Sequence, residues 1–264
     1  MNKIHPSAII DQSARLENVT IGPHAIIEAD ALIGENTEVA AGAVIKKNSI
    51  IGKNNIIGHY AVIGEDPQDI HFDRNLKTGV IIGDNNIIRE MATVHRSTKT
   101  GQNTIIGNNC FLMATSHIAH DCILHNNVIL CNGSLMAGHI EIFDHVFISG
   151  LVAVHQFSKI GCNAMIAGCT RLAQDAPPYA LVEGHPGIFR TINVVGLRRA
   201  GFSAEDRLAI KRVYNTIYFS GYTYSQAIKI LEEQNIGSHG KIIIDFFKTS
   251  RSGVVKSGRT FSEE

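Results

Sequence analysis

The chain has 264 residues, and Lys plus Arg equals Asp plus Glu at 24 each, so the formal net charge is zero. That balance gives no case for nucleic-acid binding, and the length suits one large domain or one domain with a small appendage. No apolar run reaches the roughly 18 residues that span a bilayer, Met1 to Pro6 lacks a signal peptide's basic start and apolar stretch, and five cysteines without a Cys-x-x-Cys pair argue against a disulfide framework, which together point to the cytoplasm.

The N-terminal two thirds keeps a period of six. Steps from Ile21 land on Ile27, Ile33, Val39, Ile45, Ile51, Ile57 and Ile63. Steps from Ile82 pass through Ile88, Val94, Thr100, Ile106 and Leu112 and run on to Leu172, with Thr100 the only break. Ile4, Ile10 and Leu16 precede these, one residue short of phase before Ile21. Four residues after the aliphatic position a small residue recurs, as at Ala25, Ala31, Thr37, Ala43 and Ala92, and Gly often follows it directly, as at 22, 34, 52, 83 and 107. A helix needs period 3.6 and a simple strand period 2. Period six predicts short strands joined by tight corners, each edge turning one large and one small side chain inward. Three edges close a triangular coil of 18 residues, and coils stack at the strand spacing of about 4.8 Å. The expected fold class is an all-β parallel β-helix built of hexapeptide repeats. Cys110 and Cys122 fall in the small inward column and are expected as core.

Residues 66–79, Asp66-Pro67-Gln68-Asp69 onward, lack the pattern and are expected to form an external loop; residues 99–104 are polar and expected to bulge. The ladder is expected to end at Pro177-Pro178, because proline cannot donate to a neighbouring coil. Ser203-Ala204-Glu205-Asp206 then reads as a helix cap, with Leu208, Ile210, Val213, Ile217 and Tyr218 at helical spacing. A second helix is expected from Tyr224 to about Gln234, a third across Lys241 to Lys248, and the last dozen residues as a frayed end. The chain thus divides into a β-helix domain, 1–185, and a small all-α C-terminal appendage, 186–264.

The 18-residue coil places side chains. His120, Gly138 and Gln156 are 18 apart and form one column, with His139 and His155 in flanking columns and His117 at the corner leading in. Histidine is the usual general base near neutral pH, and equally a zinc ligand, so acid–base and metal chemistry both stay open here. Asp121 is a candidate to orient a histidine, but neighbours along a strand point to opposite faces, so its role stays open here. Neither a Gly-x-Ser-x-Gly elbow nor a P-loop is present.

Four segments carry a family resemblance: His117-Ile118-Ala119-His120-Asp121-Cys122, Met136-Ala137-Gly138-His139, Ala153-Val154-His155-Gln156-Phe157 and Gln174-Asp175-Ala176-Pro177-Pro178-Tyr179. They closely resemble the UDP-N-acetylglucosamine O-acyltransferases, which perform the first acylation of lipid A biosynthesis. Pro67-Gln68-Asp69, Ile88-Arg89-Glu90, His95-Arg96 and Asn193 with Gly196-Leu197-Arg198-Arg199 extend the match over nearly the whole chain. The resemblance implies a left-handed coil and a homotrimer with sites between subunits. It implies transfer of a 3-hydroxyacyl chain from acyl carrier protein to the 3-position of a UDP-sugar, with no metal or cofactor. His120 is then the general base and the Gly138 amide the donor to the thioester oxygen. Gln68, Asp69, His117, His139, His155 and Gln156 contact the substrates, and Asn193 and Arg199 hold the phosphates. Gly168 falls at the acyl-length ruler position, and its small size implies a longer chain. Arg198, Arg199, Lys211 and Arg212 are candidates for carrier docking. His71, Val195, Ala200 and His185 depart from the common pattern on the nucleotide-sugar side. Two alternatives therefore stay open: a 3-amino UDP-sugar as acceptor, and a zinc-dependent trimer like the γ-carbonic anhydrases.

Overall fold

A computed structural model describes residues 1–258. One large and one small inward residue per sextet dictate a two-residue strand and a four-residue corner, and that unit recurs from Lys3–Ile4 to Arg171–Leu172. Its strands pair in parallel with those of the coils above and below, in three sheets of 11, 9 and 8 strands, one per face of a triangular prism. The first face contains Phe111–Leu112, Ile129–Leu130, Phe147–Ile148 and Met165–Ile166; the second contains Val62–Glu65, Thr93–His95, His117–Ile118, Leu135–Met136 and Ala153–Val154. The aliphatic column fills the prism, and Cys110 and Cys122 are buried within it as expected.

Registers step by 18 through most of the stack, as in Ile118, Met136, Val154 and Leu172. Ile4 pairs with Ile21, which is the one-residue shortfall visible in the sequence. Two coils are larger. Ile57 pairs with Ile88, making room for a loop between Glu65 and Gly79. Ile88 pairs with Leu112, making room for an excursion after His95. The second insertion is one whole hexapeptide long, so a count in sixes runs straight through it. Thr100 is therefore not a ladder residue; it is exposed in the excursion, and Thr104 takes the buried small position.

From the second coil on, most corners hold one residue in left-handed backbone, a conformation that Asn tolerates better than most side chains. Asn18, Asn36, Asn54 and Asn85 fill it along one edge and bond side chain to side chain up the stack at 2.9, 3.4 and 3.2 Å. Elsewhere coils approach so closely that only glycine fits: a Cβ on Gly52 would sit 2.7 Å from the carbonyl oxygen of Gly83.

The ladder does not stop at Pro177-Pro178. The prolines lie in a corner, and Ala180–Gly184 adds one more parallel strand against Met165–Ile166. Gly187–Ile192 then turns back antiparallel and covers the open edge. Four helices follow: α1 Val194–Arg199, α2 Ala204–Phe219, α3 Tyr224–Glu232 and α4 Gly237–Thr249. Ser203 caps α2 through the expected box with Asp206. The short α1 lies outside the three expected helices, and α4 starts four residues before Lys241. The helices dock on the last coil through Tyr214, whose hydroxyl donates to the Pro178 carbonyl, and Tyr218, which stacks on Phe189 at 4.4 Å. The frayed end is corrected for residues 253–258: Val254 and Val255 are buried and bridge back to Asp175. The remainder of that expected end, 259–264, lies outside the described residues. Among the described residues no helix is long and apolar enough to cross a membrane.

The fully buried Leu130 side chain touches coils on both sides. Leu130→Ala is expected to cost about 2–5 kcal/mol, whereas Ile9→Ala, at an exposed position, changes stability by less than about 0.5 kcal/mol. Urea midpoints with unchanged slopes check this.

Candidate active site

The second face assembles the histidines. His117 lies on the strand His117–Ile118 and not at a corner; its Nδ1 shares a hydrogen bond with Thr93 Oγ1 at 2.7 Å. His120 follows at the corner. Its ring lies directly over the buried Gly138, so that a Cβ there would come within 2.5 Å of Cε1 and 2.8 Å of Nε2. Only glycine leaves room for this ring. Among the described residues the Gly138 amide donates to no protein group, while its carbonyl accepts from Phe157.

Asp121, His139 and Phe157 occupy successive left-handed corners, one coil apart. Because residues 120 and 121 turn a corner and do not continue a strand, their side chains meet. His120 Nδ1 donates to Asp121 Oδ2 at 2.8 Å, and His139 Nε2 stands 3.6 Å from the same oxygen. Ser97 Oγ donates to Asp121 Oδ1 at 2.5 Å, and Thr98 Oγ1 to Oδ2 at 2.6 Å, with the Thr98 amide shared between them. Burial alone would raise the Asp121 carboxyl, but the bonds from His120, Ser97 and Thr98 outweigh it and hold the carboxyl well below the usual range. An ionised Asp121 accepts only, which places the His120 proton on Nδ1 and leaves Nε2 with a free lone pair.

The rings form a continuous wall. His120 and His139 meet edge to face at 5.2 Å, and His139 stacks on Phe157 at 4.7 Å. His95 backs His117 edge-on at 4.7 Å, and its buried Nδ1 has no hydrogen-bond partner among the described residues. Burial first, then the neighbouring His117, lowers the His95 imidazole to about 4. Burial and His120 also lower His117; burial lowers His139 against the pull of Asp121. A cavity of about 740 Å³ opens beside His139 and Phe157 and is ringed by Lys159, Lys248 and Arg251. His120, Asp121 and His139 bring ligand atoms within 4.8 Å of one another, a spacing that a metal ion could use. The Asp121 oxygens, however, already accept from three neighbours, and this fills the lone pairs a metal would need.

Comparisons with known proteins agree with this geometry. The family described as "Bacterial transferase hexapeptide (six repeats)" matches residues 16–47, 30–65 and 103–138, and that described as "Udp N-acetylglucosamine O-acyltransferase; Domain 2" matches 175–255. The acyl-[acyl-carrier-protein]–UDP-N-acetylglucosamine O-acyltransferase of Campylobacter concisus is 36% identical over 98% of this chain and 100% of its own length. The chain belongs to that O-acyltransferase family. Solved acyltransferases resemble it throughout: that of Francisella novicida at TM-score 0.93 and 38% identity, over 97% of this chain and 95% of its own, and that of Bacteroides fragilis at 0.92 and 40%, over 96% and 100%. The fold is thus a left-handed parallel β-helix with a helical C-terminus.

Within one acyltransferase chain the remaining expected residues lie apart from this wall. His155 and Gln156 are exposed one coil above Gly138, the His155 ring turned to the Gln156 carbonyl at 3.1 Å. Gln68 and Asp69 are exposed on the 66–78 loop. Asn193 and Arg199 sit over the first face, lining a cavity of about 710 Å³ with Phe111, Ile129, Phe147 and Met165. Both ends of the Asn193 side chain are engaged: Oδ1 caps α1 at the Gly196 amide, and Nδ2 donates to the Asn163 carbonyl. Gly168 is exposed in a corner where a Cβ would meet nothing nearer than 3.5 Å. His71, Val195 and Ala200 are exposed, and His185 precedes Pro186 in the closing hairpin. Arg198, Lys211 and Arg212 are exposed on the helices.

Reading residues 120 and 121 as strand hid the Asp121 contact. The repeat itself carries the missing signal: the third residue after each inward aliphatic is a corner, and Asp121 is third after Ile118. Phe157 stands at the same position after Val154. Ser97 and Thr98 carry no such signal, because they lie in the excursion that leaves the repeat.

His95 makes the folded acyltransferase pH-sensitive. Its folded value of about 4 lies below the ordinary 6.5, so the unfolded chain binds more protons between those limits. Stability is full above pH 6.5 and falls by roughly 3 kcal/mol as pH drops towards 4. His95→Phe is expected to flatten that slope, measured by urea unfolding at pH 7 and 4.5. Equal slopes in both proteins would contradict the assignment.

Proposed function

We propose that this chain transfers a 3-hydroxyacyl group from acyl carrier protein to the 3-hydroxyl of UDP-N-acetylglucosamine, the first step of lipid A biosynthesis, in the cytoplasm. The observation that carries the reading is the His120 ring, oriented by Asp121 and seated over Gly138. As the sugar 3-hydroxyl attacks the thioester carbonyl, His120 Nε2 takes its proton. Asp121 stabilises the imidazolium that forms. The Gly138 amide, which has no protein acceptor among the described residues, donates to the oxyanion. The intermediate then collapses: the C–S bond breaks, and His120 returns the proton to the carrier's thiolate. A base of this kind contributes about 10²–10⁴-fold, and one oxyanion donor about 3 kcal/mol.

His117, His139, His155 and Gln156 hold the sugar and acyl arm, and Gln68 and Asp69 face the nucleotide-sugar. Arg199 pairs with the phosphates through its planar fork of donors. Asn193 acts one step back, capping the helix that carries Arg199. Arg199 and His120 stand on different faces of one prism, which favours a site completed between copies. On the first face the outward column is apolar over six successive coils, Ile56, Ile87, Phe111, Ile129, Phe147 and Met165, and that stretch offers the surface for a homotrimer. The relatives carry O-acyltransferase names, which supports the 3-hydroxyl acceptor over the 3-amino one.

Incubation with 3-hydroxyacyl carrier thioesters and both UDP-sugars, read by mass spectrometry, is expected to give the O-acylated product. His120→Ala should lower kcat by about 10³-fold and Asp121→Asn by about 10²-fold. Full activity in His120→Ala, or product only from the amino sugar, would contradict the reading. The space at Gly168 accepts a side chain without backbone strain, so Gly168→Met should fold and shift the preferred donor to a shorter chain. Chromatography of products from a mixed set of donors measures that shift.

A further inference from the structure

We propose that Arg96 is a positioning residue for the nucleotide-sugar side of the site, because its buried guanidinium ties both ends of the 66–78 loop to the excursion that orients the catalytic pair. This rests on the reading that Gln68 and Asp69 face the nucleotide-sugar.

Arg96 is 1% exposed, an unusual place for a permanent cation. A buried guanidinium persists only where its donors are met, and here every partner belongs to one object. Nε donates to Asp66 Oδ1 at 2.8 Å, where the loop begins. Nη1 donates to the Leu76 carbonyl at 2.8 Å and Thr78 Oγ1 at 3.1 Å, where it ends. Nη2 reaches the Arg74 carbonyl at 3.0 Å, and the Phe72 ring lies 4.8 Å from the guanidinium carbon. Gln68 and Asp69 sit at the exposed tip between these anchors. The polar contact of the Asp69 side chain is local, to the His71 amide. Their placement is therefore inherited from Arg96.

The same strand end serves the catalytic pair. His95 packs on His117, and Ser97 and Thr98 hold Asp121. Four consecutive residues thus fix the acceptor loop and the base through separate side chains. Lysine cannot replace Arg96: an ammonium is a point charge with three donors and no planar fork, and it cannot span Asp66, Arg74 and Leu76 together. Loss of the fork should loosen the loop and leave the Ser97–Asp121–His120 chain in place.

The test uses the full assembled protein. Arg96→Lys, Arg96→Met and the double variant Gln68→Ala/Asp69→Ala are compared by steady-state kinetics against each substrate in turn, and by hydrogen exchange of the backbone. Arg96→Lys is expected to raise KM for UDP-N-acetylglucosamine by about tenfold or more, with KM for the carrier thioester and kcat within about twofold. Faster exchange should be confined to residues 66–78, and Arg96→Met should behave likewise but more severely. A general loss of folded protein would instead lower apparent kcat and leave KM unchanged, and that pattern overturns the proposal. So does an unchanged loop exchange rate. If the double variant raises KM but Arg96→Lys does not, positioning by Arg96 fails and the reading of the loop stands. If the double variant leaves KM for the UDP-sugar unchanged, the reading of the loop fails and the proposal with it.

Discussion

A coil of short strands and corners cannot satisfy its own backbone; most of its amides and carbonyls find partners only in the coils above and below. That constraint holds the coils in strict register. Ile118, Met136, Val154 and Leu172 must stand in line, and so must whatever sits beside them on the outer surface. The catalytic geometry is a by-product of this alignment. Gly138 is under His120, and His139 and Phe157 continue the column of Asp121, because amide bonding admits no other register. A one-residue slip would turn the aliphatic column outward and break up the site with it.

Function is written where the coil can spare residues from that duty. Most corners hold left-handed backbone, and Asn or Gly takes the position at many of them. On the second face it goes to Asp121, His139 and Phe157 instead. Larger bulges supply what corners cannot. The 66–78 loop and the excursion after His95 are where the polar groups of the site leave the repeat; Arg96 binds the two together, and Ser97 and Thr98 hold Asp121. Burial then tunes the imidazoles: His117 and His139 are pushed towards the neutral form, and Asp121, rich in donors, stays charged beside His120.

Much of this is legible in the sequence, because the period of six is also a coordinate system. It predicts the prism, the core placement of Cys110 and Cys122, and the stacking of His120 on Gly138. It fails where the period is silent or misleading. An insertion of one whole hexapeptide leaves the phase intact, so Thr100 reads as a flaw in the ladder when it lies outside it. Pro177-Pro178 reads as a stop, but proline in a corner costs the ladder nothing, and another strand follows. The tail at 253–258 reads as polar, yet the buried Val254 and Val255 pin it to the last coil. The contacts of Asp121 with Ser97 and Thr98 join segments that no spacing relates. Nor does spacing reveal that His120 and Arg199 stand on different faces of one chain.

That last separation is the centre of the proposed function: on the proposed reading, one chain carries both halves of the site on different faces and a neighbouring copy brings them together. Mixing two inactive variants, His120→Ala and Arg199→Ala, in the proposed trimer tests it directly at low UDP-N-acetylglucosamine. If each site takes His120 from one copy and Arg199 from its neighbour, random mixing restores about a quarter of the sites, and activity returns to about that fraction of the unmodified protein. If both residues act within one chain, every site keeps one defect, and the mixture stays as inactive as its parents.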